Sequence, residues 1–173
     1  MTKRLAFGVL CGCALVALIC LSNLVQAQDK DKGESKQNLA LKARGTMPGA
    51  TDIDKAVTLQ ALLDKKDSND WSNSKAASIE GYVIQLEREE DGDYHVVLGA
   101  NAGETDTTKW VIVEVTPAWA RRKASLSPVS LKKLRGQKVS VTGWLYYEPD
   151  VESSDPRGTR WELHPVTDIR AIK

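Results

Sequence analysis

The two histidines of this chain, His95 and His164, each follow an acid by two positions, as Asp93–His95 and Glu162–His164. Residues two apart on a strand share a face, so each pair presents a carboxylate and an imidazole on one side. A third acid, Glu114, interrupts the apolar run Val111-Ile112-Val113-Glu114-Val115. Paired on neighbouring strands, these side chains offer nitrogen and oxygen ligands to a divalent metal. They can equally satisfy one another as a buried polar network, or serve as an acid and a base. The network reading of Asp93, His95, Glu114, Glu162 and His164 is preferred, because metal motifs have tighter spacing and no zinc-helix motif occurs. The metal alternative uses His95, Glu114 and His164. Glu114 needs a partner if buried, since a lone carboxylate in a core is costly; Arg160, His164 and His95 are the candidates.

Aromatic side chains offer a second kind of chemistry. Trp144, Tyr146 and Tyr147 crowd one strand, and the adjacency of the two tyrosines turns one outward. With Arg121 and Arg122 they make a candidate ligand platform on which bases or sugars stack. The other tryptophans are Trp71, Trp110, Trp119 and Trp161, and most tryptophans in a domain of this size are core. Charge is segregated: Glu87, Glu89, Glu90, Asp91 and Asp93 crowd one turn, whereas Arg121, Arg122, Lys123, Lys132, Lys133, Arg135 and Lys138 fall in an acid-free stretch. Runs of this kind are ordinarily solvated faces, and the basic one also suits a polyanion. There is no glycine-rich phosphate loop and no serine in a nucleophile motif, so no catalytic residue is assigned.

The N-terminus reads as a signal peptide over residues 1–27, with basic Lys3 and Arg4, an apolar Leu5–Leu21 and small residues leading to cleavage after Ala27. A lipobox at Leu10-Cys11-Gly12-Cys13 is only partial, and a retained anchor is the other alternative to cleavage. All three cysteines lie within this segment, so the mature chain is expected to hold no disulfide and no thiol chemistry. Losing Lys3 and Arg4 takes the formal charge from +1 to −1, which gives no bulk attraction to nucleic acid or anionic lipid. Residues 28–50 are polar and aperiodic and read as a disordered spacer. A single domain over residues 51–173 follows.

Within that domain, Ile53, Ala56, Leu59 and Leu63 recur at helical spacing and predict a helix over 53–65 behind a Thr51–Asp54 capping box. The pattern then becomes that of strands: 77–88 with a glycine bend at Gly81, 94–98, 110–115, 137–147 with a bend at Gly143, and 160–172. Ser127, Pro128 and Gly136 bound a helix between the third and fourth strands. Five strands, a long bent first strand and a helix in that position spell a small mainly β Greek-key barrel of the oligonucleotide/oligosaccharide-binding (OB) type. A plain β-sandwich is the competing architecture.

Four pieces, Gly92-Asp93-Tyr94-His95-Val96-Val97-Leu98, Val111–Val115, Val139-Ser140-Val141-Thr142-Gly143-Trp144 and Glu162-Leu163-His164-Pro165-Val166, together resemble an uncharacterised family of exported bacterial OB-fold-like proteins. More distantly the chain is similar to small periplasmic barrel proteins implicated in stress tolerance. The resemblance implies the barrel and export to the periplasm or beyond, and brings no established activity. The expected function is a non-catalytic binding or structural module without a required cofactor, with an oligonucleotide or other polyanion, a glycan or an envelope protein as partner. The alternative is a His/carboxylate metal-binding protein or metal-dependent hydrolase. No stable membrane span is expected after cleavage.

Overall fold

The computed structural model describes residues 35–151 and 156–173; the expected signal peptide lies outside the described residues. Five strands, β1 (Ala76–Arg88), β2 (Tyr94–Gly99), β3 (Val111–Val115), β4 (Lys138–Tyr147) and β5 (Trp161–Ala171), form a closed barrel in the order β1-β2-β3-β5-β4. β3 and β5 run parallel and every other pair is antiparallel. This is the OB-like topology that the strand order predicts, and closure of the ring removes the sandwich alternative. Among the described residues four α-helices accompany it, α1 (Lys36–Lys42), α2 (Leu59–Asp64), α3 (Pro117–Arg122) and α4 (Pro128–Lys133), with 3-10 turns at Thr107–Lys109 and Ala124–Leu126.

β1 serves both halves of the barrel, pairing through residues 76–82 with β4 and through 82–88 with β2. The register slips between Val83 and Gln85 rather than at Gly81. Gly81 has a different job: a Cβ there would lie 2.7 Å from Leu59 Cδ1, so the missing side chain lets α2 close on the strand. Gly143 does mark a bulge in β4, and its Cβ would meet the Pro165 carbonyl at 2.9 Å.

Three local expectations are corrected. The first barrel-side helix spans only Leu59–Asp64, because Thr58 is the cap that engages, accepting from the Ala61 amide. Ile53 instead makes a parallel bridge to Ala76, which occupies the backbone a longer helix would need. The connection between β3 and β4, expected to hold one helix, holds two, because Pro117 opens α3 with Thr116 as its N-cap ahead of α4. The segment read as spacer contains α1 in its described part, followed by a strap over residues 43–47. Arg44 and Thr46 offer their carbonyls to the indoles of Trp119 and Trp144, both at 2.9 Å. Buried indole N–H groups need acceptors, and an aperiodic polar chain supplies them as well as a helix does.

Alternation along the strands sorts side chains into two layers. Val96, Val113, Val115, Val141, Leu145 and Leu163 point into the barrel, which Trp119, Leu126 and Leu131 close from the β3–β4 connection. Each fully buried aliphatic side chain of this kind contributes roughly 1.5–3 kcal/mol. The neighbours of those residues, Glu114, His164, Glu162, Trp144 and Tyr146, therefore face outward. They are nevertheless buried, because α1 and its strap pack against this side of the barrel.

Candidate functional site

Glu114 is the hub of this outer layer. His95 on β2 is its direct cross-strand partner. Val113 and Leu163 pair across β3 and β5, which brings the next residues, Glu114 and His164, to the same level. The His95 Nε2 lies 2.9 Å from Glu114 Oε1, and the His164 Nδ1 lies 3.0 Å from Glu114 Oε2. The other nitrogen of each ring faces a further acid: His95 Nδ1 stands 3.4 Å from Glu89, and His164 Nε2 stands 3.3 Å from Asp93 Oδ2. Glu162 Oε2 lies 3.7 Å from His164 Nδ1, and Arg157 closes the group by donating to Glu162 Oε1.

The structure thus brings together all five residues of the expected network. The shorter contacts run between strands, so that Asp93 meets His164 and not His95, while Glu162 and His164 keep the expected contact within β5. Arg160, expected as a partner for Glu114, instead donates to the Pro149 carbonyl at 3.1 Å. The buried arginine is Arg157, which lies in the β4–β5 loop and which no periodicity marks. Its position depends on Gly158. The Gly158 amide donates to the Trp110 carbonyl, and a Cβ on Gly158 would sit 2.2 Å from the Thr108 carbonyl oxygen. That glycine, next to an arginine and just before a strand, is the one signal in the sequence that could have found it. Gly158→Ala is expected to destabilise the protein by about 2–3 kcal/mol through overpacking against backbone, read as a lower urea midpoint at unchanged slope; a loss under about 0.5 kcal/mol would show that the loop yields.

Charge governs the chemistry of the centre. Burial works against protonation of both imidazoles, but flanking carboxylates outweigh it. His95 is raised to about 9, chiefly by Glu114 and Glu89, and His164 is raised well above its ordinary value by Glu114, Asp93 and Glu162. Burial alone would raise Glu114, yet the two histidines hold it well below the usual carboxylate range. Glu162 faces opposed influences. Burial and the Glu114 charge push it up and His164 and Arg157 pull it down; burial prevails and leaves it at about 7. Asp93 is raised by burial despite His164. Three acids, Asp93, Glu114 and Glu162, therefore face three bases, His95, His164 and Arg157, which is how a buried cluster of charges remains tolerable.

The expected platform is internal. Tyr146 is fully buried with its ring edge-on to His164 at 5.8 Å, and Lys42 lies over it at 5.1 Å. Arg44 covers Trp144 at 4.9 Å. Tyr147 is half-buried and packs edge-on against Trp161. Arg122 stacks on Trp119 and donates to the Gly45 carbonyl at 2.7 Å, while Trp144 donates to neighbouring Thr46. The anticipated basic–aromatic juxtaposition exists, but the chain's own strap fills it. Arg121 remains exposed on α3.

No protein-family model matches the chain, and no curated protein matches it. Among solved structures it is similar to asparaginyl-tRNA synthetase of Entamoeba histolytica, both in complex with asparaginyl-adenylate and without it. The identity is 17% and the TM-score 0.40 in each case, over 62% of this chain. The chain spans about a quarter of the synthetase's length, 23% and 22% in the two structures.

Proposed function

We propose that this protein is an exported, non-catalytic binding module of the cell envelope that takes a positively charged ligand on the outer β2–β3–β5 face of its barrel. The exposed acids of the β1–β2 turn, at the edge of that face, carry the reading. In OB barrels the outer face of the second and third strands, flanked by the β1–β2 and β4–β5 loops, is where ligands sit. Here Glu87, Glu89, Glu90 and Asp91 line the β1–β2 turn at the edge of that face, while Glu114 and Glu162 behind them are matched by His95, His164 and Arg157. A phosphate backbone would meet carboxylates there, and like charges repel. The face already internalises one cation, the guanidinium of Arg157. Catalysis is not invoked, because the sequence carries no serine in a nucleophile motif and no glycine-rich phosphate loop. Export rests on the N-terminal segment, with its basic start, apolar run and small residues before Gln28.

A second reading has its own observation. The β3–β4 connection, residues 117–137, contains no acid, and Arg121, Arg122, Lys132, Lys133 and Arg135 in it are exposed. Such a surface suits a polyanion. Calorimetric titration of the protein with spermidine, oligothymidylate and heparin separates the two. Spermidine is expected to bind, more weakly at high salt and more weakly in the Glu89→Gln/Asp91→Asn variant. Binding of oligothymidylate or heparin without spermidine would overturn the cationic reading and move the working surface to the basic connection.

A further inference from the structure

We propose that Asp93, Glu114 and His164 form a binding site for one divalent transition-metal ion, of which zinc is the representative. The inference rests on the reading of this face as cation-selective and goes further by naming the ligand atoms and the class of ion. The first ground is geometry. One ligand atom from each of the three residues lies within 4.8 Å of the others, and all three residues are buried. Tetrahedral ligands at zinc–nitrogen and zinc–oxygen distances of about 2.0–2.2 Å stand about 3.4 Å apart. The site therefore has to close by up to about 1.4 Å, with one carboxylate turning to the His164 nitrogen that the other faces, since Glu114 lies at Nδ1 and Asp93 at Nε2.

The second ground is independent of that spacing. His164 is only 2% exposed, yet neither of its ring nitrogens makes a directed hydrogen bond, and neither does Glu162 Oε2 beside it. The short contacts to Glu114 and Asp93 are charge contacts whose angles miss the ring N–H directions. Buried polar atoms are satisfied in the large majority of cases, and three unsatisfied ones at a single point mark a place built for another partner.

The third ground is how the ligands are held. His95 fixes Glu114 through Oε1 and leaves Oε2 turned to His164; Arg157 fixes Glu162 through Oε1 and leaves Oε2 turned to the same ring. Outer partners that orient first ligands in this way are a regular part of metal centres. The edge of the Tyr146 ring supplies an apolar wall. Asp93, whose side chain is the most exposed of the three at 12%, stands at the end of the acidic β1–β2 turn. The imidazole argues for a borderline transition ion over magnesium or calcium, which prefer oxygen alone.

The test is calorimetric titration of the chelator-treated full chain with zinc chloride and, separately, magnesium chloride, together with nitrogen-15 spectra of its two histidine rings. Zinc is expected to bind one to one at micromolar or tighter dissociation constant, with a large shift in a His164 ring nitrogen and little binding of magnesium. Asp93→Asn, at the rim of the site and the substitution easiest for the fold to bear, is expected to weaken binding by about 100-fold, and His95→Gln by about 10-fold as a positioning residue. Zinc that fails to bind at millimolar concentration, or that binds Asp93→Asn as tightly as the unaltered chain, overturns the proposal. If spermidine still binds in that case, the cation-selective reading of the face stands and only the metal site falls; if both fail, both fall.

Discussion

Glu114→Ala is expected to destabilise the protein by about 3–5 kcal/mol, the range for removing one partner from a buried ion pair. Glu114 is 6% exposed and stands between two imidazoles at 2.9 and 3.0 Å. Its loss leaves both rings in a dry layer with their main counter-charge gone, and it also opens a cavity between β2, β3 and β5. The melting temperature should drop by on the order of 10 °C. Glu114→Gln keeps the shape and an acceptor while removing the charge, so it should cost less, about 1.5–3 kcal/mol. The cycle Glu114→Ala, His95→Ala and the double variant should show positive coupling, because His95 no longer needs its counter-charge once both are gone. A Glu114→Ala protein as stable as the original, or costs that simply add, would mean that the carboxylate does not hold the centre together.

Stability should peak on the acid side of neutrality and fall as the solution becomes alkaline. The direction follows from each group in turn. His95 is raised in the folded state from 6.5 to about 9 by Glu114 and Glu89. Its contribution is complete below the unfolded value and is lost as pH rises through about 9. At 1.36 kcal/mol per unit this is on the order of 3 kcal/mol. His164, facing Asp93, Glu114 and Glu162, acts in the same direction. Glu162 is raised from 4.5 to about 7, so its ionisation is easier in the unfolded chain and it too removes stability as pH rises between those values. Glu114 is lowered, and its contribution is present above its unfolded value and lost as pH falls through the folded one. Asp93, raised by burial, acts as Glu162 does, and the maximum is therefore expected at about pH 4–5. Urea unfolding followed by tryptophan fluorescence across the pH range checks this. His95→Gln should flatten the fall between about pH 6.5 and 9, and a stability that holds level or rises across that interval for the unaltered chain would refute the assignment.

The barrel was legible because its signals are local and repeated. Period-two alternation in β3 and β5, the glycine bulge at Gly143 and the Ser127-Pro128 helix start each act over a few residues. The centre was legible in membership but not in wiring. Two residues of spacing places Asp93 with His95, yet strand pairing sends Asp93 to His164 and His95 to Glu114. The aromatic platform failed for a related reason. Trp144 and Tyr146 do face out of the barrel, as alternation requires, but outward is not exposed when another part of the chain packs there. The strap that covers them has no periodicity to reveal it, since it binds through backbone carbonyls that any sequence carries.

By itself the sequence determined the set of strands, the barrel they close and the identity of five ionisable side chains that must be reckoned with together, because those follow from patterns within each segment. Only the tertiary structure decided that these side chains lie on the outside of the barrel and beneath a cover, that Glu114 joins two histidines, and that Arg157 rather than Arg160 completes the charge balance. Those facts depend on register between strands far apart in the chain and on a glycine that lets one loop touch another. Distances of this kind arise from closure of the ring, and no local pattern encodes them.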